Sequence, residues 1–215
     1  MSKRLIAAAA AIVTLALPAA AQAHDPILFV HGWSESSSIW NTMISRFQAD
    51  GWTSSELNNW SYNTSQSNVT TANAIASKVS QIRQQTGAAK VDIITHSMGG
   101  LSSRYYIKNL GGGAYVDDWV SLGGPNHGTD TANLCSQTSC VEMRIGSSFL
   151  TQLNSGDETP GAVSYFTWWS PCDTVINPDS SVALSGASNT KTACLSHSDL
   201  YSDPTVYGQV RDSVR

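Results

Sequence analysis

The chain has 215 residues, 41% of them hydrophobic and 13% charged, with a formal net charge of −4. It carries no basic cluster or stripe of the kind that selects nucleic acid. No internal repeat or long low-complexity linker divides it, so the length suits one domain with a sizeable core.

In chain order, the first segment reads as an address rather than as fold. Lys3 and Arg4 precede an uncharged apolar stretch from Leu5 to Leu17, and Ala21-Gln22-Ala23 is a small-x-small cleavage site. This is the pattern of a secretory signal peptide over residues 1–23, cut before His24. The apolar stretch is too short to span a hydrocarbon core of roughly 30 Å, so no transmembrane segment is expected. A single domain over residues 24–215 would then hold 192 residues, 10 basic and 16 acidic, a net of −6. The expected location is extracellular.

Pro26 to Val30 is a continuous apolar run ending at His31-Gly32, the pattern of a strand buried on both faces of a parallel sheet. Ser38 is placed to cap a helix carrying Ile39, Trp40, Met43, Ile44 and Phe47. Glu56 to Tyr62 reads as a strand. Val69 to Gln85 reads as an amphipathic helix, with Ile75, Val79 and Ile82 on one face and Gly87 just past its end. Val91 to Ile94 is a further buried strand, Leu101 to Leu110 a helix stopped by three glycines, and Trp119 to Leu122 another strand. Val163 to Trp169 and a short Thr192–Leu195 segment read as the last strands, and Pro204 to Val214 as a closing helix with proline in its first turn. Strands alternating with helices predict an α/β domain around a mostly parallel sheet. Such sheets bind ligands at the carboxyl ends of their strands, where His31-Gly32, His96-Ser97, Gly123-Gly124-Pro125 and Pro171-Cys172-Asp173 all fall.

The four cysteines, Cys135, Cys140, Cys172 and Cys194, form an even set, which in a secreted chain points to two disulfides. Three pairings are possible on paper. The close spacing of the first two favours Cys135–Cys140 with Cys172–Cys194, and the lack of a C-x-x-C spacing argues against zinc.

Residues 95–100, Thr-His-Ser-Met-Gly-Gly, place a serine between a buried strand and a helix. A serine held on such a turn is either a simple helix cap or a nucleophile on a G-x-S-x-G elbow, with Thr95 standing where the first glycine is expected. A nucleophilic serine needs a base and an acid to orient that base. Where the order along the chain is serine, acid, histidine, His197 is the base that leaves room for an acid at a strand end, and Asp173 is that acid. His127 is a second candidate base and Asp179 the alternative acid. A Cys172–Cys194 bond would brace the acid loop against the base loop. The developing oxyanion would be met by the backbone N–H groups of Met98, after the serine, and Trp33, after the first strand.

The segments PILFVHGW, AKVDIITHSMGGLSSRYYIKNL, VSLGGPNHGT and SPCDTVI resemble the small secreted bacterial lipases of the α/β-hydrolase superfamily, the class 2 type. The resemblance runs in order through most of residues 24–215. It implies a minimal α/β-hydrolase fold, a mostly parallel central sheet flanked by helices with no large cap domain. It implies ester hydrolysis by Ser97, His197 and Asp173, with the N–H groups of Trp33 and Met98 as the oxyanion hole. The chemistry needs no metal and no organic cofactor. The expected partner is an ester or lipid substrate, acted on by a monomer. Trp33, Leu101, Trp168 and Trp169 are candidates to line the acyl pocket. Residues 126–161 are longer than in the smallest members and read either as a partial lid or as a rigid loop pinned by Cys135–Cys140. Polyester or lactone hydrolysis by the same triad, and non-catalytic binding on a hydrolase scaffold, are the rival functions.

Overall fold

The computed structural model describes residues 24–214, so the expected signal peptide, residues 1–23, lies outside the described residues. Six strands form one sheet: β1 (Ile27–Val30), β2 (Leu57–Asn59), β3 (Val91–His96), β4 (Val116–Leu122), β5 (Ser164–Trp169) and β6 (Ser188–Lys191). Their order is β2-β1-β3-β4-β5-β6, and every neighbouring pair is parallel. The fold is an α/β-hydrolase sheet flanked by helices and carries no large cap.

The short apolar runs explain the layers. Side chains alternate across a strand, so β1 sends Ile27 and Phe29 to one face and Leu28 and Val30 to the other. The first face packs on α1 (Asn41–Ala49) and α6 (Pro204–Ser213) through Trp40, Met43, Phe47, Val206 and Val210. The second packs on α2 (Asn68–Thr86) and α3 (Gly99–Asn109) through Ile75, Val79, Ile82, Tyr106 and Ile107. The helix α2 ends as its sequence implies, with Gly87 left-handed at φ 77°. Ser38 does not cap the first helix. It lies inside a short 3₁₀ turn, Ser37–Trp40, that leads into α1.

Two strand assignments move. The second strand is only Leu57–Asn59. The last is Ser188–Lys191, ahead of the expected Thr192–Leu195. This edge strand is polar and is held by side-chain bonds rather than apolar burial. Asn189 Oδ1 accepts from Thr167 Oγ1 at 2.7 Å and from the Leu184 N–H at 3.0 Å, while its Nδ2 donates to Leu184 O at 2.9 Å.

Residues 126–161 hold a 3₁₀ turn, Asp130–Leu134, and two short helices, α4 (Thr138–Met143) and α5 (Ser148–Leu153). They form a third apolar cluster on α3, with Leu101 and Met98 against Ala132, Met143, Leu150 and Leu153. Polar anchors fix the segment from several sides. Lys108 Nζ donates to the carbonyls of Leu153, Ser155 and Asp157 at 2.9, 2.6 and 2.8 Å. The buried Arg104 donates to Asn154 Oδ1 at 3.0 Å. Glu142 accepts from the Ser67 hydroxyl and from the Asn68 N–H, at 2.5 and 2.6 Å, at the start of α2. These contacts join the segment to α2 and α3.

Candidate active site

The strand order reverses direction between β1 and β3, because the chain runs outward from β1 to β2 and then returns to β3. That crevice, at the carboxyl ends of the strands, is where an open parallel sheet binds ligands. His31-Gly32 leaves β1 there and Ser97 leaves β3.

Ser97 sits at φ 53°, a left-handed backbone rarely adopted by a residue with a side chain. The structure over-determines it. The Ser97 N–H donates to Leu122 O at 2.9 Å on β4. A Cβ at Gly99 would stand 2.5 Å from Val30 O and 2.7 Å from His31 O, so only glycine lets α3 begin this close to β1. Thr95 fits where glycine was expected because its hydroxyl, fully buried, donates to Val120 O at 2.8 Å. The elbow therefore tolerates a β-branched residue that points into the sheet.

Asp173 and His197 arrive from the far side of the sheet. Asp173 Oδ2 and His197 Nδ1 are 2.7 Å apart, with the two side chains 2% and 11% exposed. Asp173 Oδ1 accepts the N–H groups of Val175 and Ile176 at 2.8 and 3.0 Å. Burial alone would raise the Asp173 carboxyl, but the bond to His197, its charge and the two backbone donors prevail and hold it below the usual carboxylate range. Burial lowers His197 below an ordinary imidazole. The Asp173 hydrogen bond opposes that and the neighbouring His96 adds to it. The result is an ionised carboxylate oriented against a neutral imidazole.

The loops bearing this pair are tied together. Cys172 and Cys194 form a disulfide, and Cys135 and Cys140 form the other. The buried Ser170 hydroxyl lies 2.6 Å from Leu195 O and accepts from the N–H groups of Leu195 at 2.9 Å and Cys172 at 3.1 Å.

Ser97 and His197 line one cavity of about 290 Å³. Its wall is mainly apolar, built from Ala132, Cys135, Met143, Val175 and Ile176, with Trp33 at the margin. The sequence profile of the family described as Lipase (class 2) matches residues 24–212. The chain belongs to the class 2 lipases. It is a serine ester hydrolase. Among solved structures, mature Bacillus licheniformis lipase BlEst2 superposes with a TM-score of 0.78 at 19% identity, covering 92% of this chain and 94% of that one. Aspergillus fumigatus lipase B superposes with a TM-score of 0.73 at 15% identity, covering 89% of this chain and 52% of that one. At such identities the likeness speaks for the fold.

In this class 2 lipase the other sequence candidates scatter. Met98 is buried at the start of α3 and Trp33 is 38% exposed beside the cavity. His127 bonds Glu158 at 2.7 Å and Ser181 O at 3.1 Å and does not line the Ser97 cavity; nor does Asp179. Three expected pocket residues are elsewhere. Trp168 is in the core, its Nε1–H donating to Gln209 Oε1 at 2.8 Å on α6. Trp169 stacks under Lys191 at 5.2 Å. Leu101 is fully buried behind the pocket wall. The wall comes instead from residues 129–143, whose small and sulfur-bearing side chains gave no periodic signal. Sequence reasoning also missed Glu35, His96 and Ser170. Each is a polar residue in a loop or at a strand end, and only three-dimensional contact reveals its role.

Proposed function

We propose that Ser97, His197 and Asp173 form the triad of a secreted triacylglycerol lipase, released by removal of residues 1–23 and acting as a single domain over residues 24–215. The observation that carries the reading is the Asp173–His197 hydrogen bond, set across one apolar cavity from a serine on a left-handed elbow. In this mechanism His197 Nε2 takes the proton of Ser97 Oγ as the oxygen attacks the ester carbonyl. Asp173 holds the ring through Nδ1 and stabilises its charged form without taking the proton. The backbone N–H groups of Trp33 and Met98 meet the developing oxyanion. His197 then gives its proton to the departing alcohol, and water repeats the cycle on the acyl-enzyme. The apolar wall from Ala132 to Met143 takes the acyl chain.

The test is a chain-length series of p-nitrophenyl and glycerol esters with wild type and Ser97→Ala. Loss of about 10⁴-fold or more in turnover is expected for the alanine variant. Retention of a tenth of the activity would remove Ser97 from the reaction. Turnover of solid polyester film without turnover of triglyceride emulsion would keep the triad and change the substrate.

A further inference from the structure

Beside the site, with Glu35 lining the same cavity as Ser97 and His197, stands a second acid–histidine pair that the mechanism above does not use. His96, fully buried, faces an oxygen acceptor at each ring nitrogen. Its Nδ1 is 2.9 Å from Glu35 Oε2 and its Nε2 is 3.1 Å from the backbone oxygen of His197. Both ring nitrogens are thus within hydrogen-bond reach of an oxygen on a separate loop. Glu35 Oε2 also accepts the Gly32 N–H at 2.6 Å, in the loop that leads to Trp33. Burial would raise the Glu35 carboxyl, yet the His96 bond, its charge and the Gly32 donor hold it below its ordinary value. One carboxylate and one ring thus connect the proposed oxyanion loop to the backbone of the proposed base. The fit is close: a Cβ at Gly32 would lie 2.7 Å from Ser97 Cβ and 2.8 Å from Glu35 Oε2.

We propose that Glu35 and His96 are positioning residues for the hydrolytic reaction, a hydrogen-bonded pair that sets the oxyanion loop and the base loop at one distance from each other. This rests on the triad reading above. The pair has an electrostatic side as well. The His96 and His197 rings are 4.5 Å apart between centroids. The groups facing His197 are Asp173, His96 and Glu35, and those facing His96 are Glu35, His197, His31 and the edge of Tyr201. The neighbouring His96 adds to the lowering of His197 by burial, and the Glu35 charge opposes it in part.

The test compares wild type, Glu35→Gln, His96→Gln and Ser97→Ala by steady-state kinetics, pH–rate profiles and thermal melting. Glu35→Gln keeps the shape and removes the charge. A fall of roughly tenfold in kcat with KM within about twofold is expected, a fraction of the 10²–10³ that loss of a whole oxyanion donor costs. In His96→Gln, Glu35 stands unopposed beside His197 and favours its protonated form, so the acid limb of kcat/KM moves to higher pH. Wild-type kcat in Glu35→Gln together with an unmoved limb in His96→Gln overturns the proposal. So does a loss that merely follows the melting temperature with no movement of the limb, since the pair is then only packing. Activity in Ser97→Ala would instead overturn the triad reading. An inactive Ser97→Ala beside a Glu35→Gln of wild-type kcat and a His96→Gln with an unmoved limb would refute this inference alone.

Discussion

Two regions of this lipase are closed by disulfides and use them differently. The Cys172–Cys194 region carries Asp173 and His197, and its bond spans 22 positions of sequence. The Cys135–Cys140 region spans 5 positions, carries neither of those side chains, and supplies pocket wall. In the first, Ser170 adds hydrogen bonds to the covalent link, tying the loop of Asp173 to the loop of His197. In the second, Arg144 donates to Cys135 O at 2.9 Å, and Lys108 and Glu142 fix the rest of the segment to α2 and α3. On the proposed mechanism, the same cross-link would serve reaction geometry in one place and substrate shape in the other.

The comparison can be broken most severely at Asp173. Asp173→Asn keeps an acceptor for the Val175 and Ile176 donors but presents the wrong partner to His197 Nδ1. Turnover is expected to fall by about 10⁴, measured on a short p-nitrophenyl ester, with a small change in melting temperature. Next come the disulfides. Cys172→Ser with Cys194→Ser should lower unfolding free energy by about 3 kcal/mol, and Cys135→Ser with Cys140→Ser by about 2 kcal/mol, by the chain-entropy estimate. Denaturant midpoints measure both. The sharper contrast is kinetic: the first double variant should lose kcat on every ester, and the second should change the preference among acyl lengths. Equal kinetic profiles in the two would refute the division of roles.

Ala132→Phe fills part of the cavity while leaving Ser97, His197 and Asp173 unsubstituted. It should cut kcat/KM for long-chain esters roughly tenfold relative to short ones, within the range by which pocket shape discriminates. The pH profile is the finest probe. His197 must be neutral to act as base, and its burial lowers the pH at which it protonates, so activity should fall on the acid side below 6.5, the value of an ordinary imidazole. The limb reports the reaction region and should be unaffected by Ala132→Phe.

Most of the scaffold could be read from residue order, because β1, β3 and β4 are uninterrupted apolar runs and α2 has a full helical stripe with a glycine stop. Ser97 and Asp173 are legible as candidates because each follows a strand that the pattern reveals, and His197 because it is the histidine that leaves room for an acid between it and the serine. The sequence misplaces β6 because its residues, Ser-Asn-Thr-Lys, carry no apolar signal, although they pair in parallel register with β5. The pocket wall was misassigned to tryptophans on the same reasoning: large aromatic residues look like lining, yet Trp168 packs on α6 and Trp169 pairs with Lys191. Glu35 and His96 are 61 positions apart and meet only because the strand order reverses beside β1.

The covalent ring through Cys172 and Cys194 has a consequence for ageing and heat. Asp173 lies just inside this ring and His197 three positions past it, on the outer half of the sheet, whereas Ser97 lies between β3 and α3 nearer its centre. Gradual loosening of the domain edge should carry the imidazole away from the hydroxyl while it still keeps its carboxylate. Enzyme warmed short of full unfolding should then lose its reaction with a fluorophosphonate while the carboxylate–imidazole bond survives, a state that cooling can restore for as long as the ring is intact.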